Sequence, residues 1–87
     1  MTQSKFYILL EADNDLSTNT PDYYTELYTN LADAKQAAKV AHDQIIEGLK
    51  EDHVQINLDT NIGNREYNIE TDTNHYHLEI QASHIQK

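Results

Sequence analysis

Cysteine is absent from this 87-residue chain, proline occurs once and glycine twice. Without cysteine there is neither a disulfide frame nor a thiolate zinc site, and nothing marks an oxidising compartment. With Gly48 and Gly63 as the only glycines, no phosphate-cradling loop can be built. Ser4, Ser17 and Ser83 all lie outside a Gly-x-Ser-x-Gly elbow, so no activated nucleophile is expected. Basic side chains are also scarce: six against fifteen acidic ones leave a net charge of −9. Such a field repels phosphate backbones and anionic membranes and attracts basic surfaces, which argues against direct nucleic-acid or membrane binding. The early apolar run from Phe6 to Leu10 is too short for a membrane span or a secretory leader, so a soluble, cytoplasmic protein is expected. The length suits a single small globular domain, residues 1–87, with one modest core.

The apolar period changes cleanly along the chain, from extended to helical and back to alternating. Residues 5–12, "KFYILLEA", are apolar on both parities and predict an interior strand. Residues 13–22 collect turn formers and the only proline, and predict the longest loop. "YYTELYT", 23–29, reads as a second strand. Asn30 is a good helix cap, with Asp33 three residues on, and Leu31, Ala34, Ala38, Ala41, Ile45 and Leu49 form one stripe. A helix of roughly 30 Å from about Leu31 to about Lys50 follows, with Gly48 either capping its end or lying inside it. Three short alternating strands are then expected at 54–58, 65–71 and 76–82.

Period two also constrains pairing. Setting Thr71 opposite Tyr76 puts Ile69 against Leu78 and Tyr67 against Ile80 inside, with Glu70 against His77 and Asn68 against Glu79 outside. The predicted fold class is α+β: an antiparallel sheet of about five strands, in β-β-α-β-β-β order, with one long helix packed on one face.

Candidate chemistry is sparse. His75 and His77 share the outer side of the last strand, near Glu70, Asp72 and Glu79, and alternate strand residues can lean toward one ion. The His-x-His spacing is a weak signal by itself, and no metal site is expected; these histidines are expected to titrate against Glu70. Asp13, Asp15 and Ser17 occupy alternate positions of a calcium loop, but Thr18 stands where glycine is needed and Tyr24 where a bidentate glutamate is needed. With no cavity predicted to perturb a carboxylate, no catalytic residue, cofactor or enzymatic activity is expected.

Partner binding is a better fit. Asp43, Glu47 and Glu51 recur every four residues near the helix C-terminus, where like charges and the negative end of the dipole both disfavour them. A solvated face would explain this stripe; so would a docking stripe for a basic protein surface. Tyr24 and Tyr28 can place aromatics on an uncovered part of the sheet and extend such a patch. The function expected is a small acidic binding or regulatory protein. A nucleic-acid-mimicking inhibitor of a DNA-binding enzyme is the alternative, and a histidine-based metal-binding protein is a third. A homodimer through a sheet edge or the open face is a further expectation.

Overall fold

A computed structural model describes the backbone of residues 3–86 and the side chains of residues 6–82. The side chains of Ser4, Ser83 and His84 lie outside the described residues. The chain runs β1 (Gln3–Asp15), β2 (Thr20–Tyr28), α1 (Leu31–Glu51), β3 (Leu58–Ile62), β4 (Glu66–Glu70) and β5 (Asn74–Gln86). All pairings are antiparallel, in the sheet order β2-β1-β5-β4-β3. This is the expected α+β layout, with the helix on one face and the first strand inside the sheet.

The loop expected over 13–22 shrinks to a turn at 16–19, because Asp13 to Asp15 and Thr20 to Asp22 continue the β1–β2 ladder. Asp15 makes the tight turn possible: its Oδ1 accepts from the Ser17 N–H (2.9 Å) and hydroxyl (2.7 Å). Those bonds hold its carboxyl below the usual range. Asn19 takes the positive φ that closes the turn, +55°, a conformation asparagine tolerates. Pro21 is accommodated because β2 is an edge strand, where a missing N–H need not break a ladder on both sides.

The helix begins as the sequence predicts. Asn30 Oδ1 accepts from the Asp33 N–H, and Asn30 Nδ2 donates to the Asp33 carboxylate, each at 2.8 Å. Gly48 lies inside the helix, which ends at Glu51, and His53 takes the left-handed exit at φ +57°. Ala34 and Ala38 are fully buried, so the backbone comes close to the sheet and packs on Leu9, Tyr67, Leu78 and Ile80. Burying a side chain such as Leu9 or Leu78 contributes about 1.5–3 kcal/mol.

Two further expectations need correction. Val54 to Asn57 is not a strand; the third strand is Leu58–Ile62. Its apolar residues Leu58 and Ile62 point away from the helix and are exposed, while Asp59 points toward the helix and meets His42. The β4–β5 register is displaced by two residues: Ile69 pairs with Tyr76, Tyr67 with Leu78, Asn68 with His77, Glu70 with His75 and Glu66 with Glu79. Thr71 therefore closes the hairpin with Asn74, its N–H donating to the Asn74 carbonyl at 2.9 Å, rather than pairing with Tyr76. A shift of two preserves the faces, so Tyr67 and Ile69 remain buried.

Candidate functional site

The helix carries its acids unequally. Asp43 is exposed but paired: the Lys39 ammonium lies 2.8 Å from one of its oxygens and His42 Nδ1 3.0 Å from the other. Lys39 and then His42 hold the Asp43 carboxyl below the usual range. Glu47 and Glu51 remain exposed, and with Asp43, Ile46 and Lys50 they border one open depression. The stripe is thus continuous in space, but only its last two members are without an ion pair among the described residues.

The two tyrosines separate. Tyr24 is 67% exposed on the edge strand, whereas Tyr28 is half-buried against the core. The Tyr28 hydroxyl donates to Glu26, an interaction that with burial pushes its pKa up to about 12. Tyr28 lies with Leu9, Glu11, Glu26, Ala37, Val40, Ala41 and Gln44 along a groove between the helix and β1–β2. In this groove burial, and then the charge of Glu26, raise the Glu11 pKa. The acidic stripe and Tyr28 thus border different depressions.

What the sequence does not reveal is that the fold gathers acids from three segments at one end of the sheet. Asp13, Asp15 and Asp22 flank the β1–β2 turn, and Glu70 and Asp72 flank the β4–β5 turn. The two turns are joined by Leu16 N–H to the Thr73 carbonyl (2.8 Å) and by Asn74 Nδ2 to Asp13 (2.9 Å). His42, midway along the helix, already lies over Tyr67 and Asp59, so the later turns carrying Glu47 and Glu51 continue toward this same end. The return segment is tied there as well: Asn57 donates through its N–H to the Glu70 carbonyl and through Nδ2 to Asp72, both at 2.7 Å. Lys50 is the one cation in these segments among the described residues. Tyr24, opposite Glu11 on β2, flanks this end, and Tyr28 does not.

The histidines lie on the open face, where Asn68 links them. Its Oδ1 lies 2.8 Å from His77 Nδ1 and 3.3 Å from His75 Nε2, and its Nδ2 lies 3.4 Å from Glu66. His75 Nδ1 is 3.5 Å from Glu70, its cross-strand partner in the observed register. His77 belongs instead beside Glu66 and Glu79, a neighbourhood set by the corrected register.

No protein-family model, curated protein or solved structure matches this chain. Among the described residues, no helix is long and apolar enough to cross a membrane.

Proposed function

We propose that this is a small non-catalytic binding protein of the cytoplasm that engages a basic protein surface through its acidic end. The observation that carries the reading is the convergence of Asp13, Asp15, Asp22, Glu70, Asp72, Glu47 and Glu51, from both sheet turns and the helix terminus, with only Lys50 among them. Carboxylates crowded at one end repel one another and weaken the isolated fold, and a basic partner removes that cost on binding. Tyr24 supplies an amphipathic ring at the margin of the surface, Asp43 borders it already paired with Lys39 and His42, and half-buried Tyr28 bonds Glu26.

A nucleic-acid mimic would use the same end, since the fold brings together acids that are dispersed in sequence. The two readings differ in partner. Retrieval from lysate of the source cell, followed by competition with duplex DNA, separates them: a retrieved DNA-binding enzyme displaced by DNA identifies the mimic.

The decisive comparison is between two variants of equal net charge. Glu47→Gln with Glu51→Gln removes charge from the acidic end, and Ala32→Lys with Gln36→Lys adds the same positive increment at exposed positions in the first half of the helix. Loss of the retrieved partner in the first variant alone is the expected result. Equal loss in both would reduce the effect to net charge and remove the acidic end from the account.

A further inference from the structure

Glu66 and Glu79 are direct cross-strand partners on the open face of the sheet. Like charges placed opposite one another disfavour strand pairing, and neither has a lysine or arginine ion-pair partner among the described residues. Between them stands His77: one ligand atom from each of the three side chains can be chosen so that all lie within 4.8 Å of one another. All three are half-buried.

The surrounding amides determine which atoms face inward. A carboxylate only accepts, so Asn68 presents its NH₂ to Glu66 (3.4 Å) and its Oδ1 to the histidines. That oxygen in turn only accepts, so His77 carries its proton on Nδ1, 2.8 Å away, and its lone pair on Nε2. Nε2 is directed at Glu79 Oε1, 3.8 Å distant. The other oxygen of Glu79 is occupied by Gln81 Nε2 at 2.6 Å. Asn68 thus holds His77, and Gln81 holds Glu79, each through the atom that does not face the other, and Asn68 also reaches Glu66. Metal sites use such outer hydrogen bonds to fix imidazole tautomer and carboxylate orientation.

We propose that Glu66, His77 and Glu79 form a divalent transition-metal site that takes Zn²⁺, with Asn68 as its positioning residue. One imidazole nitrogen and two carboxylate oxygens suit zinc's borderline character, and the uncovered face leaves a fourth position to water. Zinc bonds of about 2.0–2.2 Å bring tetrahedral ligands to roughly 3.3 Å from one another, so side-chain adjustments of about 1.5 Å or less complete the site. The ion neutralises the opposed pair and cross-links β4 to β5. The sequence conceals the trio, because Glu66 joins His77 and Glu79 only through the observed strand register. His75 belongs to another interaction, with Glu70 and Asn68.

The test is titration of the full chain with zinc chloride in a non-chelating buffer, followed by calorimetry and by the melting temperature. Saturable uptake of one Zn²⁺ per chain, with a melting temperature that rises with free zinc, is expected for the wild type. His77→Gln, Glu66→Gln and Glu79→Gln should each weaken uptake by tenfold or more while keeping the wild-type far-ultraviolet spectrum, and His75→Gln should leave it within about twofold. Asn68→Ala keeps every ligand and should still lower the affinity about tenfold, as loss of an orienting hydrogen bond does. Absence of saturable uptake in the wild type overturns the proposal. Uptake that survives His77→Gln, or that is lost as fully in His75→Gln, overturns it equally.

Discussion

At His42 a single proton bears on whether the helix is fastened to the edge of the sheet. The ring stacks on Tyr67, centroids 4.8 Å apart, and its nitrogens meet Asp43 and Asp59 at 3.0 and 2.8 Å. Burial opposes the charged form, but hydrogen bonds to Asp59 and Asp43 together outweigh it, so the pKa lies above its ordinary value. A raised folded-state pKa gives stability that is fully present below the unfolded value, about 6.5, and is lost as pH rises through the folded value. Urea denaturation should therefore show wild-type stability falling between pH 6 and pH 8.5 relative to His42→Gln, and the same slope in both proteins would show that no such charge is held. At Asn30 the expectation is simpler: Asn30→Ala removes the acceptor for the Asp33 N–H and should cost about 1 kcal/mol by the same measurement.

At the scale of elements, the helix shows how a repeated charge can have two meanings. Glu47 and Glu51 have no ion-pair partner among the described residues and sit near the negative end of the dipole, so Glu47→Gln with Glu51→Gln should stabilise the isolated protein by roughly 0.5 kcal/mol. Asp43, in the same four-residue series, accepts from Lys39 and binds His42, so Asp43→Lys should instead lower the melting temperature. If both changes move stability in the same direction, the distinction between a solvated pair and a clamped residue is lost. The sequence contains the spacing of the three acids but not this difference, because Asp59, which completes the clamp on His42, arrives from 17 residues away. The same limit explains the strands. Alternation reveals which residues share a face, and Tyr67, Ile69, Leu78 and Ile80 are buried as read. Alternation is blind to a slip of two, which keeps every face and changes every partner, and so Glu66 could not be seen opposite Glu79. Leu58–Ile62 is hidden from a periodicity reading for a related reason: its polar side faces the helix, the inverse of a core strand.

Across the whole molecule, a net charge of −9 with its acids concentrated at one end makes self-repulsion a structural property. Screening weakens such repulsion over about 10 Å at 0.1 M salt. The melting temperature should therefore rise between 20 and 200 mM sodium chloride, and a fall would show that the favourable pairs at Lys39 and His42 outweigh the crowding. The extents of 52 × 25 × 17 Å describe a long, thin body in which one helix covers a single side of the sheet. The exposed side chains of Tyr23, Leu27 and Ile62 follow from that shortage of covering material.

The ladder between β1 and β5 runs the full 13 residues of each strand and is the one strand pairing, among the described residues, that joins the β2–β1 hairpin to the β5–β4–β3 meander. A ribosome makes its two halves at different times. At roughly 5–20 residues per second, β5 begins to follow the end of β1 only after about 3–12 s. Throughout that interval the nascent β1 keeps one edge open, with Leu9 bare on the side that Ile80 will later meet. Until then only the β1–β2 and β3–β4 hairpins and the helix have all their residues, and the zipper that unites the halves waits for the last strand.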